Sequence, residues 1–568
     1  MIVMNPFAFS AIGGLACHLI FNLFEPQDLS SLITLLLLIP SSLSTLFRPH
    51  SSMLISILLA FATYLGTLLC SIVLYRLSPI HPLAEYPGPV LCKISKLYSA
   101  WISLGGKQHF HYRRLHEKYG DVVRVGPNEL AFFTADAIEP LFGSAGLPKG
   151  TFWDGRVGRR EENRTLVAIH NKKEHGMRRK KWQRAFTPSA LKVYEPIIRK
   201  RVAEFVDTLA CTVGTVDALA YTGTAQPVNL CEKIAYFAWD FMFDLAYGGG
   251  SAAMQKGDVD GMLHLQDVVQ KPLIFRSHMP WLGDICGTLA RFLPSRVHEF
   301  RMWAIGVAAA RVRKGSPYED IFYHLADEGG VSKEKPAFPE IVADGVLAVT
   351  AGSDTTSTAL SVIFYFLMNH PTAYRRLQCE IDEQGDVLYD YRRQAEMPYL
   401  NAVINEAMRL IPPVPEGSHR MVREKAQAKV VAGSYVPPGT QTFVPQYTLF
   451  RDWRNFSPLP DSFVPERWLS EEDRIRLEPE IFTKSLEPYH LNRAAFIPFS
   501  HGPANCVGKQ LAYMEMRMLL CATLRRFDLR FADGWDPKEW EDGLQGFFVM
   551  VKGKMPVVVS ERRGGVEK

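Results

Sequence analysis

The sequence predicts a mainly α-helical protein with a small β portion, preceded by transmembrane helices at the N-terminus. Residues 1–76 are far more apolar than the rest, and helical periodicity dominates beyond them. Extended segments are expected only at residues 121–134, around residues 429–444 and at the C-terminus. With 568 residues, of which 47% are apolar, the chain can bury a large core.

Residues 1–76 are predicted to form a membrane anchor of one to three transmembrane helices. Residues 53–75 carry no charge, and at about 1.5 Å per residue they span a bilayer core of about 30 Å. Residues 7–24 and 29–47 are also uncharged and long enough, although Pro40 is expected to break the second. The alternative is a hairpin that enters one leaflet. No basic segment precedes the first apolar run, which argues against a cleaved signal peptide.

A proline-rich segment separates this anchor from the rest of the chain. Residues 77–91 contain four prolines, which resist both helix and sheet, so a stiff hinge is predicted there. The catalytic domain is then expected to occupy residues 92–568. The sequence shows no internal repeat, which favours one large domain.

Charge and cysteine content exclude several classes of protein. The net charge of +5 is too small for a chain of this length to indicate nucleic-acid binding. The nine cysteines are scattered, with no zinc-binding spacing and no C-x-x-C pair. A disulfide framework is therefore not expected, and the chemistry is predicted to face a reducing compartment.

One cysteine near the C-terminus lies in a distinctive loop, FSHGPANCVGKQ, at residues 499–510. Gly502 is expected to form a turn with the proline after it, and Gly508 to open a helix. Amide dipoles at that helix start would favour a thiolate at Cys506, with Phe499 above it. A lone thiolate suits a metal with one protein ligand, such as haem iron. The alternative is a small buried apolar residue, as most free cysteines are.

This loop resembles the haem-binding signature of the cytochrome P450 family. Phe499, Gly502, Cys506 and Gly508 match it, whereas Ala504 stands where the family usually has a basic residue that pairs with a haem propionate. The resemblance extends over residues 83–558. It implies the cytochrome P450 fold and a heme b whose iron is bound axially by the Cys506 thiolate.

A second motif lies in residues 341–369, which are apolar nearly all round and are predicted to form a helix through the core. Its AGSDTT stretch matches the family's oxygen-activation motif. The resemblance implies that Asp354 and Thr355 are catalytic and supply protons, and that Gly352 leaves room above a flat cofactor. The alternative is that the threonine hydroxyl bonds only to the carbonyl four residues before it.

Further polar residues are assigned by the same resemblance. His175 and Arg179 share one helix face and, with Arg420, are expected to hold the propionates that Ala504 cannot. Glu406, Arg409 and Arg467 resemble the family's structural triad. Seven basic residues are expected either to attract an electron donor or to form a solvated face: Lys172, Lys173, Arg178, Arg179, Lys180, Lys181 and Arg184.

The resemblance implies a monooxygenase that inserts one atom of O2 into a hydrophobic small molecule. No flavin or NADPH fingerprint is present, so electrons are expected from a separate NADPH–cytochrome P450 reductase. An endoplasmic-reticulum membrane location with the catalytic domain in the cytosol is expected. Stretches such as YGDVVRVGPNELAF are similar to fungal members, which implies terpenoid, polyketide or alkaloid substrates in secondary metabolism.

Two alternatives stay open: a haem-thiolate isomerase or dehydratase, and a membrane haem sensor without turnover. The Asp354–Thr355 pair argues against the isomerase. The pocket residues are expected to come from several segments: Phe152, Trp153, Val349, Thr350, Ala351, residues 414–418, Phe547 and Phe548.

Overall fold

The structure is a computed structural model that describes residues 5–24, 29–157, 163–213, 227–289, 296–316, 318–332, 335–385, 389–423 and 426–562. Parts of the predicted anchor (residues 1–4 and 25–28) and of the predicted catalytic domain lie outside these ranges.

The N-terminal region contains three helical segments that are long and apolar enough to cross a membrane. They are Pro6–Phe24, Ser30–Pro49 and Met53–Leu77. The first and third pack closely, because a Cβ at Gly14 would collide with the Tyr64 carbonyl. The Tyr64 hydroxyl donates to the Leu35 carbonyl at 2.8 Å and joins the second segment to the third. The three segments therefore form one small bundle.

Pro40 does not break the second segment in the way the sequence predicts. A π-helical turn, Thr34–Leu38, leads directly into the short α-helix Ile39–Leu43, and a 3₁₀-helix, Ser44–His50, continues it. Proline has no N–H to donate and clashes with the carbonyl four residues before it. A locally wider turn accommodates both effects, so the helical run continues past Pro40.

The body of the protein is built around a central helix, Phe338–Asn369, which confirms the helix predicted there. Helix Leu230–Tyr247 packs along it, and Gly345 allows close approach because a Cβ there would lie 2.9 Å from the Tyr247 hydroxyl oxygen. The body α-helices before it are Val90–Ile94, Lys96–Leu104, Gln108–Tyr119, Ile138–Phe142, Phe152–Val157, Lys172–Arg184, Pro188–Ala210, Leu230–Tyr247, Ala253–Lys256, Met262–His278, Pro280–Leu289, Arg296–Lys314 and Ile321–Leu325. Those after it are Pro371–Glu383, Tyr391–Glu396, Pro398–Leu410, Gln446–Leu449, Glu471–Leu477, Pro479–Phe482, Lys509–Arg526 and Pro537–Gly543.

The β portion is small and lies in the three regions that the sequence predicts, with additional short strands. The strands are β1 (Val122–Gly126), β2 (Glu129–Phe132), β3 (Val228–Asn229), β4 (Arg420–Met421), β5 (Lys429–Val431), β6 (Ser434–Val436), β7 (Gln441–Phe443), β8 (Phe456–Ser457), β9 (His490–Leu491), β10 (Phe527–Phe531), β11 (Gln545–Phe547), β12 (Val549–Val551) and β13 (Pro556–Glu561). The largest sheet has the order β1-β2-β7-β4, in which β2 and β7 are parallel. The second has the order β10-β13-β3.

The proline-rich segment, residues 77–91, is packed against β1. Arg124 is only 1% exposed, and its guanidinium donates to the Arg76 carbonyl at 3.1 Å and lies 3.2 Å from His81 Nε2. A Cβ at Gly88 would collide with the Arg124 carbonyl. The last turn of the third anchor helix is thus bonded directly to the sheet.

Candidate active site

The loop that carries Cys506 is shaped by its glycines and closed by one backbone bond. Gly502 has φ +70°, and a Cβ there would collide with the Phe142 carbonyl, so only glycine fits. The Cys506 N–H donates to the Phe499 carbonyl at 2.8 Å. Gly508 immediately precedes helix Lys509–Arg526. These contacts hold Cys506 just before a helix N-terminus, as the sequence predicts.

The Cys506 thiol faces an internal cavity. Cys506 has solvent-accessible surface although it lies inside the protein, because that surface forms part of the cavity wall. Burial raises the pKa of the Cys506 thiol, while the amides of Gly508 and Lys509 and the charge of Arg179 act to lower it. Within the described residues, no group of three or more His, Cys, Asp or Glu could hold a bare metal ion.

The central helix forms the opposite wall of this cavity. Ala351 is exposed although its helix runs through the core, because its side chain faces the cavity. Thr355 also lines it, and its hydroxyl donates to the Ala351 carbonyl at 2.7 Å. This bond is the alternative role of the Thr355 hydroxyl that the sequence analysis gave. The hydroxyl oxygen keeps its lone pairs and can accept a hydrogen bond from a cavity ligand.

Asp354 lies behind the cavity wall in a buried position. It is 6% exposed, and its Oδ2 has no hydrogen-bond partner among the described residues. Burial raises the pKa of Asp354 to about 7, with Lys552 acting to lower it and Asp267 to raise it. At neutral pH this carboxyl group can therefore both accept and release a proton.

Gly352 allows close packing between the central helix and a neighbouring helix. A Cβ at this position would lie 2.5 Å from the Met242 sulfur, so the missing side chain makes room for helix Leu230–Tyr247. Gly352 also lines the cavity, and the expectation that it leaves room above a flat cofactor stays a prediction.

One side of the cavity is cationic. Lys149, His175 and Arg179 line it, and Arg420 lies behind them. Burial, together with the charges of Lys149, Arg179 and Arg420, lowers the pKa of His175 to about 3. The Nε and Nη2 atoms of Arg420 are buried without a hydrogen-bond partner among the described residues. Unpaired buried cations fit a ligand that brings its own carboxylates, as haem does.

Arg179 is partly engaged within the protein. Its Nη2 donates to the Asn505 side-chain oxygen at 2.7 Å, its Nη1 donates to the Asn505 carbonyl, and its Nε has no partner among the described residues. Arg179 thereby ties helix Lys172–Arg184 to the loop that carries Cys506.

The structure brings most of the predicted site residues together. Six of them line the one cavity: His175, Arg179, Thr355, Phe499, Cys506 and Gly508. Asp354, Gly502 and Arg420 do not line it. The predicted pocket residues divide in the same way. Those on the wall are Trp153, Ala351, Val414, Gly417, Ser418 and Phe548, whereas Phe152, Val349, Thr350, Pro415, Glu416 and Phe547 lie outside it.

Two charged residues on the cavity wall were missed by the sequence reasoning. Lys149 is 8% exposed and Glu515 is 1% exposed. Burial raises the pKa of Glu515 well above its usual range, and its Oε1 has no hydrogen-bond partner among the described residues. Glu515 lies in the apolar stretch LAYMEMRMLL, and a carboxylate within such a stretch is the pattern that could have identified it.

The predicted structural triad is confirmed. Arg409 donates twice to Glu406 at 2.8 Å, and Arg467 donates to it at 2.9 Å. The Val464 amide and the Trp468 indole add bonds of 3.0 and 2.9 Å. These cations lower the pKa of Glu406 to about 2 against the opposing effect of complete burial.

The basic helix Lys172–Arg184 is more neutralised than the sequence suggests. Arg178 pairs with Asp344 at 2.9 Å, and Lys181 pairs with Glu340 at 3.0 Å. Arg184 pairs with Asp327 at 3.0 Å. The exposed cations that remain without a carboxylate partner among the described residues are Lys172, Lys173 and Lys180. The helix therefore offers a smaller positive surface than its seven basic residues indicate.

A cysteine at a helix start shares a cavity with the Thr355 hydroxyl and with buried cations on one side, which is the arrangement expected of a haem-thiolate protein. The family model for cytochrome P450 matches residues 86–556. The chain belongs to the cytochrome P450 family.

Several curated fungal proteins are similar to this chain. Cytochrome P450 67 of Uromyces fabae is 31% identical over 452 residues, which cover 78% of this chain and 80% of the relative. Cytochrome P450 monooxygenase nodW of Hypoxylon pulicicidum is 32% identical over 432 residues, covering 75% and 73%. Tryprostatin B 6-hydroxylase of Aspergillus fumigatus is 30% identical over 483 residues, covering 82% and 79%. The fold class predicted from the sequence is thereby confirmed.

Proposed function

We propose that this protein is a membrane-anchored monooxygenase that inserts one atom of O2 into a hydrophobic small molecule. The single observation that carries this proposal is the cavity with Cys506 on one wall and Ala351 and Thr355 on the other. A metal ligand and a proton source then face each other across a space that a substrate can enter.

The cofactor in this proposal is heme b, held by the Cys506 thiolate. When bound, haem supplies the oxygen chemistry, and the thiolate ligand donates electron density that promotes O–O cleavage. The amides at the start of helix Lys509–Arg526 stabilise the thiolate. Phe499 and Gly508 would lie against the cofactor, Gly502 fixes the loop, and the cations on one side of the cavity would bind its carboxylates.

Two residues of the central helix move protons in this proposal. The Thr355 hydroxyl rotates away from the Ala351 carbonyl to donate its proton to oxygen in the cavity, and Asp354 replaces that proton from behind the wall. The pKa of Asp354, raised to about 7 by burial, supports this exchange because both protonation states are populated at neutral pH.

The substrate is a hydrophobic small molecule. The cavity wall is mainly apolar, with Trp153, Met242, Ile321, Leu347 and Phe548 among its residues. Relatives that include tryprostatin B 6-hydroxylase support a role in fungal secondary metabolism, on a terpenoid, a polyketide or an alkaloid.

Electrons come from a separate NADPH–cytochrome P450 reductase. The sequence contains no flavin or nucleotide fingerprint of its own. The exposed cations Lys180, Arg493 and Lys509 have no carboxylate partner among the described residues. Arg493 and Lys509 line one surface cavity with Phe499, and Lys180 follows Arg179, which bonds to Asn505 in the cysteine loop. These cations are available to an acidic donor surface.

The anchor holds the protein in the endoplasmic-reticulum membrane with its catalytic part in the cytosol. Arg76 lies in the last turn of the third apolar helix and Lys93 and Lys96 follow that helix, and basic residues favour the cytosolic side. The exposed free thiols of Cys211 and Cys379 suit a reducing compartment.

The proposal is tested first with Cys506→Ser. The wild type should show the red-shifted Soret band of the reduced carbon monoxide complex, and the variant should lose it. A surviving band would remove Cys506 as the ligand. Oxygen consumption with NADPH and reductase separates the alternatives, because an isomerase or a sensor consumes no oxygen. Comparative metabolite profiling of a deletion strain then identifies the substrate.

A further inference from the structure

The cationic side of the cavity contains a lysine that has no carboxylate partner among the described residues. Lys149 is 8% exposed, and its ammonium group donates to the Leu166 carbonyl at 3.1 Å and lies 5.7 Å from the Trp153 ring centre. Burial lowers the pKa of the Lys149 ammonium group well below its usual value, and the cations Arg420 and Arg179 lower it further, so Lys149 keeps its proton only when an anion lies beside it. A buried ammonium among like charges is costly unless an anion joins it.

Lys149 is connected to the cysteine loop through a short series of contacts. Gly502 packs on the Phe142 carbonyl, and the Arg420 guanidinium lies 5.1 Å from the Phe142 ring centre. The Lys149 backbone forms a β-bridge with Arg420. Lys149 and Ala504 line the same cavity. The segment from Phe142 to Lys149 therefore leads from the loop that lacks a basic residue to a lysine on the cavity wall.

The other candidate partners for a carboxylate are less available. Both terminal nitrogens of Arg179 are engaged by Asn505. His175 lies among three cations in a buried position and is therefore held neutral. Lys149 and Arg420 keep N–H groups that no carboxylate of the described residues satisfies.

We propose that Lys149 supplies the positive charge that Ala504 lacks, and that it binds a carboxylate of the cofactor together with Arg420. This inference rests on the proposed haem-thiolate function and deepens it. Lys149 reaches the cofactor from a different segment than the cysteine loop. The basic residue usual in the family is thus replaced in space, although it is absent from the sequence motif.

The experiment measures how fast haem leaves the full-length protein for apomyoglobin. Lys149→Met keeps the length and apolar stem of the side chain and removes the charge. Lys149→Arg keeps the charge. The double variant Lys149→Met with Ala504→Arg restores a cation at the family's usual place. Lys429→Met is the matched control, because Lys429 donates to the Ala145 carbonyl at 2.7 Å on the exposed side of the same segment.

We expect Lys149→Met to release haem about ten- to a hundredfold faster than the wild type, because a charge-assisted hydrogen bond is lost. Lys149→Arg and Lys429→Met should stay within about threefold of the wild type, which is the scale of an ordinary surface substitution. Adding Ala504→Arg to Lys149→Met should slow release again. A structural role for Lys149 would not produce this rescue from a second site.

The inference is overturned if Lys149→Met releases haem at the wild-type rate. It is also overturned if adding Ala504→Arg does not slow haem release from that variant. If Lys149→Met is purified without haem, recovery of haem in the double variant supports the inference, and its absence there overturns it. The red-shifted Soret band of the wild type distinguishes failure of the proposed haem-thiolate function from failure of the role of Lys149. If the wild type lacks this band, the haem-thiolate assignment itself is wrong. If the band is present but haem release from Lys149→Met is unchanged, only the role of Lys149 is wrong.

Discussion

Replacement of Glu406 by alanine should destabilise the protein more than removal of almost any other single carboxylate. Glu406 is 0% exposed and accepts bonds from Arg409, Arg467, Trp468 and the Val464 amide. Without it, two buried guanidinium groups lose their counter-charge, which costs about 3–5 kcal/mol. The lowered pKa of Glu406 gives a stabilisation of similar size. A fall from about 4.3 in the unfolded chain to about 2 corresponds to about 3 kcal/mol at neutral pH.

The pH dependence has a defined sign. Because the pKa of Glu406 is lower in the folded protein, its stabilisation is fully present above about pH 4.3 and is lost as pH falls towards about 2. Trp468 also packs its ring 4.7 Å from that of Phe496, which leads into the cysteine loop. Loss of Glu406 should therefore weaken thiolate ligation as well as the fold.

The assay is denaturant unfolding of the purified full-length protein, followed by tryptophan fluorescence and by the red-shifted Soret band. Glu406→Gln keeps the size of the side chain and should fall between the wild type and Glu406→Ala. Glu471→Ala is the control, because the Glu471 side chain is 77% exposed and lies 3.7 Å from Arg474. If Glu406→Ala unfolds at the same denaturant concentration as Glu471→Ala, the network does not stabilise the fold as described.

Three further predictions concern protons and electrons. Thr355→Ala should lower product formation about a hundredfold and raise peroxide released per NADPH, whereas unchanged coupling would limit the hydroxyl to its bond with Ala351. In the wild type, product per NADPH should fall as pH rises through about 7, since Asp354 then loses its proton; Asp354→Asn should be flat, and an identical profile in both would exclude this carboxyl. Lys180→Glu should slow reduction by the reductase about tenfold at low ionic strength. Lys181→Glu, which breaks the pair with Glu340, should chiefly affect stability, and equal effects of both on reduction would contradict this distinction.

The parts of this site that were predicted well from the sequence are those determined by local sequence patterns. The cysteine loop, the central helix and the Glu406–Arg409 pair each lie within a short stretch whose spacing determines its geometry. The parallel pairing of β2 with β7 joins Glu129 to Gln441, and no local pattern encodes such a distant contact. Lys149 was missed for the same reason, because its importance depends on Arg420 and Ala504 in three dimensions.

Ion pairing between distant segments also explains the prediction that differs most from the structure, which is the one for the basic helix. The seven basic residues of helix Lys172–Arg184 suggested an open positive surface. Glu340, Asp344 and Asp327 neutralise three of them, and these carboxylates come from the central helix or from the segment before it. A sequence shows the charges along one helix but not the partners that folding brings to it.

The bonds of Arg76 define where a recombinant chimera should join a foreign anchor to this enzyme. The Arg76 side chain donates to the Ile94 carbonyl at 2.6 Å, and its own carbonyl accepts from Arg124 at 3.1 Å. A junction before Arg76 preserves both bonds. A junction at Pro79, where the composition changes, removes the Arg76 side chain and its bond to the Ile94 carbonyl, and the carbonyl that accepts from Arg124 then depends on the end of the foreign helix. The change in composition at Pro79 therefore does not mark the end of the contacts between anchor and body, and a foreign anchor should end before Arg76.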